Sequence, residues 1–475
     1  LLAVVSRFWD LGARAMSHDE SLHALYSYYL YNGSGYTHNP MMHGPFLFHA
    51  SALMYFLFGD NDFTARIVPA LFVVFMVMSP LMLRRWLGRW GAIIASILFL
   101  ISPSFLYYSR YIRNDIYIAV WSIVLIAALF QFIETRKPGW LYLGGAVLML
   151  SLATKENAYI FGFIGLVFII VVILWERFSR RNQIWLYLGG AILSLLLLGA
   201  SVLLSRPPAE GAEAAESAVG VIKLVVAIVT VVGGTLPAAL LSASLIRSRH
   251  PRPSSVEEAI RALTWQNWLV AIVIMFVLYA LLFTTFFTNP LGLGTGIFGS
   301  ISYWLAQQEV QRGGQPWFYY LLLLPMYEFL PLLFSLIAMV YYLVKGFWPR
   351  REVTDEELEV DASNRRFVSF LIFWNITTLF TYSWAGEKMP WLVVHPVMPM
   401  IVLTGKFAGD IFAKVDWRAV WRRGGAWLLF LLPVTLFGLY MLIRLQPFQG
   451  LSVFDLQETG NWLTALFVTL LLVIL

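Results

Sequence analysis

The chain has 475 residues, 59% of them apolar and 13% charged, a net charge of +6 and no cysteine, with a mean hydropathy of +0.73. Soluble domains carry roughly 25% charged and 45–50% apolar residues, so a soluble globular protein, a disordered chain and a coiled coil are all excluded. The missing cysteine excludes disulfides, thiolate nucleophiles and Cys-ligated zinc or iron–sulfur centres.

Apolar runs cover 63–83, 90–108, 116–132, 141–152, 158–175, 184–204, 218–246, 268–287, 318–344, 367–382, 391–412, 426–443 and 462 onward. With the opening stretch 1–9 they predict an all-α polytopic membrane protein, one transmembrane domain over 1–475 with about 13–14 spans of ~20 residues. Both ends fall inside apolar runs and read as truncated. Basic clusters sit at Arg84/Arg85/Arg89, Arg136/Lys137, Arg177/Arg180/Arg181, Arg247/Arg249/Arg252/Arg261, Lys345/Arg350/Arg351/Arg365/Arg366 and Lys414/Arg418/Arg422/Arg423. They occupy every second connection, as positive charge on cytoplasmic loops requires. The basic excess is thereby explained without nucleic acid as a partner.

The alternate connections then face the non-cytoplasmic side of the cell membrane. The first is long, 10–62, and includes the apolar stretch 45–58, which is short for a span. A span there would invert every later loop, so 45–58 is expected to lie in the interface. A second large external loop covers 288–317.

The chemistry-bearing residues gather in these external connections. Met16-Ser-His-Asp-Glu-Ser-Leu-His23 opens the first loop, with Asp19 and His23 on one helical face. Asp19 or Glu20 could serve as a general base, or Ser17 and Asp19 could simply cap a helix. Five of the seven histidines, His18, His23, His38, His43 and His49, lie in this loop. That makes a divalent metal conceivable, although the spacing fits no ligand signature. The second external loop places Arg110, Arg113 and Asp115 at the membrane edge, where charges need partners. Either they bind an anionic headgroup, or the arginines snorkel beside tyrosine anchors. Lys155 suits a phosphate or an interfacial cap, Glu387 and Lys388 add polar groups at 386–391, and His395 falls about one turn inside an apolar run.

Several motifs resemble one family. They are "His-Gly-Pro-Phe" at 43–46, "Phe-Gly-Asp-Asn-Asp-Phe-Thr-Ala-Arg" at 58–66, "Ser-Pro-Ser-Phe-Leu-Tyr-Tyr-Ser-Arg-Tyr-Ile-Arg-Asn-Asp" at 102–115, and "Ala-Thr-Lys-Glu" at 153–156. Together they resemble the GT-C superfamily of membrane glycosyltransferases, in the branch of protein O-mannosyltransferases and the lipid A aminoarabinose transferase. The likeness is good over about 1–180 and looser beyond. "Gly-Gly-Gln-Pro-Trp-Phe-Tyr-Tyr" at 313–320, next to Arg312, resembles a family span after its donor-gating loop. The 386–391 segment resembles a prokaryotic family described as flippase-activity-associated.

The resemblance implies an inverting transfer from a polyprenyl-phosphate sugar to a hydroxyl of a protein, lipid or glycan. Asp19, with Glu20 adjacent, would fall on the base and Asp115 on the second-loop acid. His43, Arg110, Arg113, Lys155, Arg312, Glu387, Lys388 and His395 would hold substrate. No metal is required by the nearest branch. His43 stands where that branch has lysine, and Glu156 where it has glycine. Two rivals remain: a non-catalytic subunit of this fold in a larger membrane complex, and a lipid-linked sugar transporter. The transporter would place its charges at mid-membrane, whereas here only Lys223 falls well inside a span.

Overall fold

The computed structural model describes residues 1–178, 180–204, 216–246, 254–303, 306, 314–347 and 355–474. Arg312, the basic residues of 247–252 and 350–351, and the Lys223 side chain lie outside the described residues. Every regular element among the described residues is a helix. The chain divides into two compact units, Leu1–Asp410 and Ile411–Leu475.

The first unit opens with α1 (Leu2–Phe8) and α2 (His18–Tyr31). A capping box starts α2: Glu20 N donates to Ser17 Oγ, and Ser17 N donates to the Glu20 carboxylate. Then come α3 (Phe46–Phe58), α4 (Asp62–Ala65), α5 (Ile67–Met78), α6 (Arg84–Ile101), α7 (Pro103–Tyr108), α8 (Asn114–Thr135), α9 (Pro138–Leu152) and α10 (Asn157–Arg177). They are followed by α11 (Arg180–Leu204), α12 (Glu216–Ala243), α13 (Ser255–Arg261), α14 (Trp265–Phe283) and the short turn α15 (Gly292–Gly294). The unit closes with α16 (Tyr319–Tyr327), α17 (Phe329–Phe347), α18 (Asp355–Trp384) and most of α19 (Val394–Phe412). The second unit holds α20 (Trp417–Arg422), α21 (Leu428–Arg444) and α22 (Val453–Ile474).

Nine helices among the described residues are long and apolar enough to cross a membrane, which makes this a multi-pass membrane protein. Several of the predicted apolar runs are divided into shorter helices by capping. Asn61 caps α4 at the head of the 63–83 run, leaving α5 with 12 residues. Ser102 and Pro103 end α6 and start α7, and α6 is also kinked at Gly88 (φ 74°). Glu328 separates α16 from α17, donating its N–H to Leu324 O while its carboxylate accepts from Ser102 Oγ and Ser104 N. The helix α3 has 13 residues, an axial length of ~20 Å against a hydrocarbon core of about 30 Å.

Burial ranks the helices. The apolar windows of α8, of α18 and of the segment running from Pro390 through α19 are 78%, 72% and 94% buried, against 11% for α11. The first three form the protein-enclosed centre and carry Asp115, Tyr382, Trp391 and His395 of the candidate site. Small residues bring α6 and α19 into backbone contact: a Cβ on Gly409 would lie 2.5 Å from Gly91 Cα, and one on Gly405 2.7 Å from Ala95 Cβ. Close approach of small-residue faces is how helices associate where no hydrophobic effect separates them from lipid.

Candidate functional site

The long first loop, 10–62, is fastened to the bundle at two places. Glu20 is fully buried and its carboxylate accepts from Arg66 Nε (3.0 Å), Arg14 Nη2 (2.7 Å), Ser17 N (3.1 Å) and Ile112 N (3.3 Å). Arg66 Nη1 also donates to the carbonyls of Leu11 and Arg14. Glu20 thus joins the first loop, the head of α5 and the second loop. With every lone-pair direction occupied, it is built as a scaffold hub. The second fastening is Gly44, whose N–H donates to Thr154 O (3.1 Å) while Phe46 N donates to Ala153 O (2.9 Å). A Cβ at Gly44 would sit 2.1 Å from Ala153 O, so only glycine fits there. This docking sets His43 against Glu156, with Nδ1 2.7 Å from Oε2. Burial alone would raise the Glu156 pKa, but the facing His43, by charge and hydrogen bond, brings it below the ordinary value.

Asp115, at the first turn of α8, is 1% exposed. Lys155 Nζ lies 3.0 and 3.1 Å from its two oxygens. His395 Nε2 lies 3.1 Å from Asp115 Oδ1 and 3.0 Å from the Asn157 side-chain amide. One ring nitrogen cannot accept from Asn157 and donate to Asp115 at once. The consistent arrangement turns the Asn157 oxygen toward the ring, so that Nε2–H serves both oxygens and Tyr382 O–H donates to Asn157 (3.1 Å). The Tyr382 ring stacks on His395 at 5.0 Å and 9°. Behind them is a cavity of about 20 Å³ lined by Asn157, Tyr382, His395, Ser122 and Thr378, room for one water.

Asp19 is the open carboxylate, its side chain 35% exposed, and it meets Arg113 as an ion pair at 3.1 Å. Arg113 is 8% exposed and its guanidinium carbon lies 3.7 Å from the centroid of the Trp391 ring. One turn along α2 from Asp19, His23 is buried and bonds through Nδ1 to Asp19 O (2.6 Å). Burial first, then the nearby Arg113 charge, pushes its pKa down to about 3.

Asp19, His43, Arg113, Asp115, Lys155 and His395 therefore gather around the start of α8 and the turn before α10. Arg110 does not join them: its Nη2 donates to Asp10 O (2.6 Å) at the outer edge of the loop. Lys388 folds back to donate to Ala385 O (2.7 Å), its pKa lowered by burial. Glu387 has no ion-pair partner among the described residues. The histidines are dispersed: His38 bonds Thr295 and His49 bonds Pro45 O, and no group of three or more metal-ligating side chains occurs among the described residues. Arg66, Asn157, Tyr382 and Trp391 escaped the sequence reading. Arg66 carries a signal, a lone cation inside the apolar run 63–83 and the last residue of the 58–66 motif.

With Glu156, which pairs with His43, two cations face three carboxylates here, so the charge sums to zero with His43 protonated and to minus one with it neutral. Lys155 spends its charge on Asp115, whereas Arg113 is held on one face by Trp391 and on one edge by Asp19.

Residues 42–203 match the family model described as dolichyl-phosphate-mannose-protein mannosyltransferase. Across 99% of the chain the structure also resembles the crystal structure of ArnT from Cupriavidus metallidurans in the apo state. The TM-score is 0.54 at 16% identity, covering 68% of that chain. The chain shares the fold of that protein. The same protein bound to undecaprenyl phosphate gives a TM-score of 0.52, again at 16% identity and with 99% and 68% coverage. A search of the curated proteins finds no match. The family match takes in α3 through α11, and with them His43, Asp115 and Lys155. Asp19 lies ahead of it, on α2.

Proposed function

We propose that this protein moves a sugar from a polyprenyl-phosphate donor to an acceptor hydroxyl, on the non-cytoplasmic face and with inversion at the sugar carbon. The observation that carries this reading is the Asp19–Arg113 pair, an accessible carboxylate held against a nearly buried guanidinium. The other acids of the group are occupied, Asp115 by Lys155 and His395, Glu156 by His43 and Glu20 by its hub. The acceptor O–H gives its proton to Asp19, and its oxygen attacks the anomeric carbon from the face opposite the phosphate. The anomeric C–O bond breaks and its electron pair leaves on the phosphate. Arg113, with Lys155 close by, stabilises the charge that accumulates there, a form of stabilisation that is often the largest catalytic term. The family model and the undecaprenyl-phosphate complex of a protein with the same fold support a lipid-phosphate donor.

The test is Asp19→Asn, assayed with radiolabelled polyprenyl-phosphate sugars and membrane acceptors, with polyprenyl-phosphate binding scored separately. Transfer is expected to fall by a factor on the order of 10² or more, with binding retained. Full transfer by Asp19→Asn overturns the assignment of the base. Absence of transfer by the unaltered protein across donors and acceptors favours a non-catalytic subunit.

A further inference from the structure

Arg113 is an arginine in an unusual state. It is 8% exposed, yet its only polar partner among the described residues is Asp19, met as an ion pair through Nη1. A guanidinium carries five N–H donors in a rigid fork, and most of this fork is unspent. None of its nitrogens is among the buried polar atoms that lack a partner, so the unspent donors stay reachable, and a charged fork in this state is set for an oxyanion. On the other side of the group, the Trp391 ring covers the guanidinium face at 3.7 Å. The indole makes this contact at a sacrifice, since its own Nε1–H is buried with no hydrogen-bond partner. A buried tryptophan usually finds one. The ring orientation is therefore governed by its face on Arg113.

We infer that Trp391 is a positioning residue that fixes the Arg113 fork, holding one edge on Asp19 and presenting the other to a phosphate oxygen of the lipid-linked donor. The inference rests on the proposed reading of the site, in which Arg113 binds that phosphate. Trp391 is placed for the task by its backbone: it lies in the short helical turn Pro390–Val393, which leads directly into α19 and His395. One segment thus brings the clamp to Arg113 and the imidazole to Asp115. An aromatic face also excludes water from the guanidinium, which strengthens its attraction for an anion.

The test measures undecaprenyl phosphate binding to the full chain in nanodiscs for Trp391→Leu, Trp391→Phe, Arg113→Ala and the Arg113→Ala/Trp391→Leu pair. Melting temperature is recorded for each. Trp391→Leu should weaken binding on the order of tenfold, the scale of a desolvated cation–π contact. Trp391→Phe, which keeps a face but drops the N–H, should recover most of that loss. In the Arg113→Ala background the leucine substitution should add nothing, because the residue acts through Arg113. Equal losses with and without Arg113, or no recovery by phenylalanine, would overturn the role of Trp391. Unchanged binding in Arg113→Ala would instead overturn the phosphate assignment of Arg113, a separate outcome. If Trp391→Leu fails to fold, Trp391→Phe and Trp391→Met in the two backgrounds give the same comparison.

Discussion

Lys155 and Asp115 form a buried ion pair, the ammonium 3.0 and 3.1 Å from the two carboxylate oxygens and both side chains under 7% exposed. A carboxylate gripped in this way is poorly placed to take a proton from a substrate, and an ammonium so engaged is only partly available to a phosphate. Removing one partner strands the other charge, which typically costs about 3–5 kcal/mol. Lys155→Met is thus expected to lower the melting temperature sharply. Lys155→Met with Asp115→Asn should recover a large part of the loss. Additive losses in thermal unfolding would show that the two residues are not coupled.

Glu20 stands beside the proposed base but behaves as structure. Glu20→Ala leaves Arg66, which is fully buried, without its carboxylate, and a loss of about 3–5 kcal/mol follows. The check is whether residual transfer tracks the folded fraction. Transfer lost from a fully folded Glu20→Ala protein would make Glu20 a chemical participant.

Gly44→Ala is expected to be far more damaging than its size suggests. The added methyl meets Ala153 O at 2.1 Å and Ala153 C at 2.3 Å, both backbone atoms that cannot turn aside. Overpacking of this kind costs about 1–3 kcal/mol, and relief requires lifting the loop, which parts His43 from Glu156. Melting temperature and polyprenyl-phosphate binding should fall together.

Acid should weaken the fold before the carboxylates titrate. His23 is held near pKa 3 by burial, His38 near 4, and His49 is also lowered, from a usual 6.5. The unfolded chain therefore binds more protons than the folded one below about pH 6.5, and stability falls as pH drops through that window. Glu156, with its lowered pKa, contributes only when pH falls below 4.5. His23→Phe keeps a ring against Phe48, where the imidazole stacks at 5.8 Å, and removes a titrating group. Its melting temperature should depend less on pH between 6.5 and 4.5 than that of the unaltered protein, and an equal slope would count against the account.

The helical, multi-pass character of the chain was legible in composition and run length, because burial in lipid demands both. The points at which the apolar runs break were not. Ser102, Asn61 and Glu328 interrupt apolar runs by hydrogen bonds to backbone groups, and hydropathy does not register such bonds. At the site, Asp19, Asp115, Lys155 and His395 could be read from charge at the membrane edge. Which of them remained available could not, since that depends on partners brought from 40 to 280 residues away. Asn157, Tyr382 and Trp391 lie in ordinary-looking stretches and acquire meaning only through contact.

If the site takes a lipid phosphate, as proposed, the near balance of charge around Asp19, Arg113, Asp115, Lys155 and Glu156 bears on how that phosphate arrives. A site with little net charge projects almost no field beyond about 10 Å, the screening length at moderate ionic strength. It therefore cannot gather its substrate from a distance as a strongly basic cleft does. Encounter is left to diffusion in the plane of the bilayer, and attraction begins only when the headgroup touches the unspent edge of Arg113. Capture governed in this way is indifferent to the salt concentration of the surrounding fluid and responsive instead to the abundance of the lipid in the membrane.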